Sequence, residues 1–208
     1  MLEQIVKFFV VFFVVVEPLS IIPVFSSLTV GASEEYRQRM AVKATVTAAV
    51  ILLLFSLVGQ PFLGVMGISV AAFRIFGGLL LFIIALEMVF ARESGTRTST
   101  NEQAESRRRA DISVFPLAFP LIAGPGALVT ILLWVGPVSL RERPLLFAGM
   151  AACAALVLLI TLAMMLMASR LMSVIGVTGA NVANRLFGVV LGALSVQFVL
   201  DGLHSSFH

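Results

Sequence analysis

Glu17 puts a carboxylate inside a long apolar run, and the residues behind it cannot continue a helix. The sequence that follows is Pro18-Leu19-Ser20-Ile21-Ile22-Pro23. Its spacing, P-L-x-x-x-P, returns in the other half of the chain as Pro120-Leu121-Ile122-Ala123-Gly124-Pro125, with Gly126 next. A proline inside a helix removes a backbone donor and clashes with the turn before it, so two per run break the helix. A break exposes N–H groups where the second piece starts and C=O groups where the first piece ends. The N–H end carries about half a positive charge and suits a carboxylate; the C=O end suits an ammonium or Na+. Two such breaks can hold a zwitterion without any charged side chain, and Gly124 and Gly126 let the backbone approach it closely. The neighbours Ile21, Ile22, Leu121 and Ile122 are apolar, which favours a small, neutral substrate. Prolines that merely kink packed helices are the plain alternative, but two per run plus Gly-Pro-Gly favour unwinding.

Other ionisable residues in apolar surroundings add candidates, since charge at membrane depth is costly and by default functional. Glu17 can take and release a proton, bind an ammonium or Na+, or simply accept from amides freed at the break. Arg74 and Arg185 occupy matching places in the two halves; they either snorkel to the interface or pair across the bundle, for example with Glu87 or Asp201. A structural or gating ion pair is favoured over substrate contact. Gln197 and Asp201, four apart, share a helical face. Asn181 and Asn184 cap a helix or bond a neighbouring one.

The elements that must position these residues are membrane helices. Mean hydropathy is +1.08, 60% of the 208 residues are hydrophobic and only 12% are charged, against roughly 25% in a soluble domain. A spanning helix needs about 20 apolar residues. Six runs qualify, near 4–28, 41–63, 67–90, 113–136, 145–169 and 180–203. They predict an all-α membrane protein, with spans 1 and 4 broken at the proline motifs. Gly188-x-x-x-Gly192 is a close-packing signal. The single cysteine, Cys153, excludes an intrachain disulfide. No cleavable leader is read at the N-terminus, because the first run lacks a small-residue cleavage site and flows into the first break.

Charge sets the expected orientation. Arg37, Arg39 and Lys43 follow span 1; Arg92, Arg97, Arg107, Arg108 and Arg109 follow span 3; Arg170 follows span 5. The other side has Arg141, Arg143 and Lys7. The richer side is cytoplasmic by the positive-inside rule, so both termini are expected outside, in a bacterial inner membrane. The same rule accounts for the sequence pI near 9.8 without a nucleic-acid partner. The Arg107–Arg109 cluster needs no role beyond topology, although anionic lipid would also suit it.

The halves rhyme beyond the prolines. Arg74-Ile75-Phe76-Gly77-Gly78 matches Arg185-Leu186-Phe187-Gly188-Val189, and Met66-Gly67-Ile68-Ser69 matches Ile175-Gly176-Val177-Thr178. Three spans per copy force the second copy to insert upside down, giving two inverted 3+3 repeats with a site near the midplane. The expected organisation is residues 1–90 as the first repeat, 91–112 as a cytoplasmic linker and 113–208 as the second. Paired breaks at matching positions are the sequence pointer to a secondary transporter. A channel, a carrier of another small metabolite or ion, and a membrane scaffold are the alternatives.

An enzyme is not expected. The only histidines, His204 and His208, stand at the C-terminus, so H-E-x-x-H metal chemistry is absent and no metal or cofactor is called for. The two aspartates, Asp111 and Asp201, belong to opposite membrane faces and cannot form a dyad. No Walker motif is present, so pumping would use an ion gradient or exchange unless a separate ATPase partner supplies the energy.

Pro116-Leu117-Ala118-Phe119-Pro120-Leu121-Ile122-Ala123-Gly124-Pro125-Gly126-Ala127 resembles the signature of the MarC family, also called the small neutral amino acid transporter family. Phe73-Arg74-Ile75-Phe76-Gly77-Gly78 and Gln197-Phe198-Val199-Leu200-Asp201-Gly202-Leu203 resemble it too, so the likeness covers nearly the whole chain. It implies a six-span inner-membrane protein with an external N-terminus, which in some members transports alanine or glycine. The first break departs from that pattern. Such proteins usually read Asn or Asp, Pro, an aliphatic residue and Gly; this chain reads Glu17-Pro18-Leu19-Ser20. The expected function is a secondary transporter, exporter or exchanger, of small neutral amino acids such as alanine, glycine or serine, with coupling to protons or Na+ left open. A homo-oligomer also fits a small bundle with many glycine contacts.

Overall fold

The fold is a computed structural model that describes residues 1–90, 111–136, 138 and 143–207, with the side chains of 174–178 and 180 excepted. The described residues contain helices and no strand. Five helical stretches are long and apolar enough to cross a membrane, and a bent pair makes a sixth. The proposed linker, its arginines and Arg141 lie almost wholly outside the described residues.

Span 1 is two helices, α1 (Leu2–Val16) and α2 (Ile21–Leu28). Pro18 disfavours the right-handed helical region for the residue before it, and Glu17 ends α1 at φ 53, ψ 65. A turn follows in which the Ser20 amide donates to the Glu17 carbonyl at 3.0 Å. Pro23 falls in the first turn of α2, where its missing N–H costs nothing. Ser33 caps the next helix, α3 (Glu34–Val65), by accepting from the Tyr36 amide at 3.2 Å, and Glu34 and Glu35 suit its positive end. Gly67, at φ 69, turns the chain, and the Ser69 hydroxyl accepts from the Ala72 amide to start α4 (Val70–Phe90).

Span 4 is irregular over more of its length than its two breaking prolines predict. Ser113–Ile122 is wound in wide turns, with the Leu117 amide donating to the Ile112 carbonyl and the Ala123 amide to the Ala118 carbonyl. Phe115 and Phe119 are extended, at φ −128 and −130, each directly before a proline; both Phe–Pro bonds are cis. Gly124 then leads into α5 (Pro125–Trp134), with Pro at its first position. The two pieces meet at 56°.

After α6 (Pro144–Leu166), a single turn at Met167 leads into α7 (Ala168–Phe207). The stretch expected to connect spans 5 and 6 is therefore helix, since it contains no proline to stop it. One motif pair diverges in consequence: Met66–Ser69 lies in a turn, whereas Ile175–Thr178 lies within α7.

Burial sorts the spans. In span 1, 61% of the most apolar stretch is buried, against 28% in each of the four other long spans. Span 4 is also mostly interior, from Pro116 and Leu117 through Ile122 to Val129–Leu133. The two broken spans thus form the centre, and four regular helices sheath them and face lipid. Phe8 stacks on Phe12 and approaches Trp134 of α5 at 6.2 Å, joining the two central spans. The most extensive packing of the sheath is α4 along α7. Gly78 meets the Ser195 carbonyl there, and Gly188 meets that of Ala85, so neither site leaves room for a Cβ without a shift.

Candidate functional site

The breaks adjoin. Gly126, in the first turn of α5, sits against Val15 at the end of α1; a Cβ built on Gly126 would lie 3.0 Å from Val15 Cγ1 and 2.7 Å from Leu81 Cδ2. Glu17, Pro18, Pro120, Ala123, Gly124 and Gly126 are buried; Ser20, Pro23 and Pro125 are half-buried. Of the nine residues that the motifs nominate for substrate binding, Glu17, Pro18 and Ser20 fall in the first break, Pro23 in α2, Pro120 in the wide-wound segment, Ala123 and Gly124 in the second break, and Pro125 and Gly126 in the first turn of α5.

The two breaks are built differently. At the second, geometry belongs to the backbone: a Cβ on Gly124 would lie 2.3 Å from the Pro120 carbonyl oxygen, so only glycine fits. The α5 N-terminus that follows has no side-chain cap. Pro125 has no N–H, which leaves the buried Gly126 and Ala127 amides as the donors of that helix end. Thr130, one turn on, donates to the Gly126 carbonyl at 2.9 Å.

At the first break, a strained backbone is joined by a side-chain hydrogen bond to another helix. Glu17 holds a left-handed backbone that non-glycine residues seldom adopt, with its carboxylate buried. Asn and Asp tolerate that region best among non-glycine residues. Ser20 is at φ −67, ψ −23, an ordinary helical conformation, so the departure from Gly at that position demands nothing unusual of the backbone. The Ser20 hydroxyl donates to Asn184 Oδ1 of α7 at 2.9 Å. Asn184 was readable in sequence only as a cap or a helix bridge; its partner lies 164 residues away, and no local signal could name it.

The coupling and gating candidates lie elsewhere. Gln197 donates to Asp201 at 2.7 Å within α7. Arg74 is half-buried on α4, and Arg185 is exposed on α7. Neither arginine pairs with Asp201, whose carboxylate Gln197 engages. Arg185 stands on the same helix as Asp201, sixteen residues or roughly 24 Å away along it at about 1.5 Å per residue.

An ion pair marks one end of the bundle. Lys43 of α3 donates to Asp111, whose other oxygen accepts from the Ser113 amide at 2.9 Å and from its hydroxyl. The Lys43 hydrogen bond, then those from Ser113, pull the Asp111 carboxyl from 3.8 down to about 2. Span 4 thus starts beside α3. Nearby, the Arg37 guanidinium lies 5.9 Å from the centre of the Phe25 ring at the end of span 1.

The sequence profile described as MarC family integral membrane protein matches residues 2–207. The chain belongs to the MarC family. Among its relatives is the UPF0056 membrane protein YhcE of Escherichia coli (strain K12), 35% identical over 97% of this chain and 92% of the relative. A UPF0056 membrane protein of Aquifex aeolicus (strain VF5) is 37% identical, over 95% and 91%. Another, MJ0972 of Methanocaldococcus jannaschii, is 34% identical, over 94% and 84%. No solved structure matches. Family membership and the apolar helices together make this a multi-pass integral membrane protein.

Proposed function

We propose that this MarC-family protein is a secondary transporter of small neutral amino acids such as alanine, glycine or serine. It works by alternating access across a bacterial inner membrane, with both termini outside. The observation that carries the reading is the meeting of two buried helix breaks, Gly126 against Val15, at the centre of the bundle. The uncapped α5 N-terminus is the positive pole, where the Gly126 and Ala127 amides receive the substrate carboxylate. The α1 C-terminus with Glu17 is the negative pole, where the ammonium group docks. Val15 and Leu81 pack tightly around Gly126, which leaves little room beside it and favours a substrate with a short side chain.

Packing supports an inverted repeat. Under exchange of spans 1, 2 and 3 with 4, 5 and 6, the principal contacts between halves map onto one another. Span 1 packs on span 5 as span 4 does on span 2, and span 1 on span 6 as span 4 does on span 3. Spans 1 and 4, 2 and 5, and 3 and 6 pack as mates. Such an arrangement lets one half rock against the other around a fixed centre.

The test is thermal unfolding of the purified protein against a panel of amino acids, because a ligand that binds only the folded state raises the melting temperature. Glycine, alanine or serine should raise it, and a Gly126→Leu variant should show no shift. A shift only with another metabolite or a cation would overturn the substrate; saturable, gradient-coupled uptake in vesicles rather than channel currents would support a carrier.

A further inference from the structure

We propose that Asn184 is a positioning residue that fixes the first break in its binding geometry, a role that rests on the transport reading and extends the site to α7. Serine and threonine in membrane helices commonly bond back to their own backbone. Ser27, Thr29, Thr45, Thr130, Thr161 and Ser195 all do so here, at 2.6–2.9 Å. Ser20 instead reaches the side chain of another helix. It stands at the N-cap of α2 but is already helical there, so its hydroxyl does not cap α2. The Ser20–Asn184 bond therefore fastens the turn to α7 and leaves the start of α2 uncapped.

The fastening has two points. Phe187, three residues beyond Asn184, meets Phe13 edge-on with ring centres 6.2 Å apart. Phe13 precedes the Glu17 turn and Ser20 ends it, so one face of α7 brackets the break. That face is itself anchored, because Gly188 presses on the Ala85 carbonyl and on Met88 and Val89 of α4. The Phe contact is apolar and slides easily; the hydrogen bond is directional and sets the turn. Asn184 thus acts through Ser20, and its requirement is an acceptor oxygen at that point.

The experiment reads the turn directly. In a Cys153→Ala background, Leu19→Cys places a thiol in the half-buried turn, and its alkylation by N-ethylmaleimide is timed in detergent. Asn184→Ala should speed labelling about three- to tenfold, the scale of one lost hydrogen bond. Asn184→Asp, which keeps the acceptor, should restore the parent rate. Adding Ser20→Ala to Asn184→Ala should give no further increase, because both changes remove the same bond. An unchanged rate in Asn184→Ala, or faster labelling that Asn184→Asp does not restore, would overturn the proposal. Alanine added to the parent tests the separate reading: protection of the introduced thiol that Asn184→Ala weakens by a similar factor supports the amino acid site. If no amino acid protects, that reading fails, while the ligand-free rates still decide the role of Asn184.

Discussion

The two central spans both break at prolines but are held by different means. Span 4 breaks through its backbone: Pro116 and Pro120 each force the phenylalanine before them into an extended conformation, and Gly124 is jammed against a carbonyl. Span 1 also breaks at a proline, Pro18, with Glu17 left-handed before it, but its turn is then fastened to another helix by a side chain, the Ser20 hydroxyl on Asn184. A break written into the backbone has little freedom to move or to vary. One held by a side-chain hydrogen bond shifts with a single substitution. On the proposed transport reading, the site pairs a rigid span with an adjustable one, and differences in substrate or coupling are to be sought at span 1.

The sharpest way to break this contrast is at Gly124. A methyl there collides with backbone, which cannot rotate away, so Gly124→Ala should destabilise by about 3 kcal/mol or more and lose uptake. A stable, active Gly124→Ala protein would show that the second break is as adaptable as the first. Gly126→Ala is milder, because its new methyl meets the side chains of Leu81 and Val15. Crowding costs about 1 kcal/mol or more, and the better helix propensity of alanine returns up to about 1 kcal/mol. Stability should change little, while amino acid affinity falls at least tenfold. Equal losses in stability and affinity would make Gly126 a packing residue.

At the first break, charge and backbone can be separated. Glu17→Asn suits the left-handed conformation and should be the more stable of two variants by about 1 kcal/mol; the other, Glu17→Gln, keeps the chain length and the strained backbone and removes only the charge. Both remove the negative pole, so both should weaken amino acid binding, read as a smaller ligand-induced melting shift. If Glu17→Gln binds and couples to a proton gradient like the parent, the carboxylate is neither ligand nor proton carrier.

Much of this arrangement was legible in the sequence, because the signals that break helices are local. Pro18, Pro120 and Gly124 announced both turns, and hydropathy announced the spans around them. The wide winding of Ser113–Ile122 was less legible, because it depends on Pro116 and Pro120 acting together through Phe115 and Phe119. The run of α7 through the stretch expected to link spans 5 and 6 was missed for a different reason: polar residues suggest a loop, but with no proline to stop it the helix continues. The Ser20–Asn184 bond was not legible at all, since only the packing of span 1 against span 6 brings the two together. Candidate charges were located more readily than their partners, as Asp201 shows by accepting from Gln197 rather than an arginine.

The smallest expected effect concerns the Lys43–Asp111 pair, which ties the rigid span to its neighbour at one end. Its side chains are 51% and 43% exposed, so the pair contributes under about 1 kcal/mol, and Asp111→Asn should alter stability by no more than that. The sign of its pH dependence follows from the direction of the shift. The Asp111 carboxyl titrates near 2 when folded, below its ordinary 3.8, so the folded state favours the ionised form. Its contribution is complete above about pH 4 and is lost as pH falls from about 4 to about 2. The stability difference between parent and Asp111→Asn should therefore be constant from about pH 5 to pH 8, the range where Glu17 variants are compared, and shrink below about pH 4. A difference that grows on acidification, measured by unfolding in detergent, would mean that the first turn of span 4 is held by something other than this pair, and the rigidity assigned to that span would have to be sought nearer Gly124.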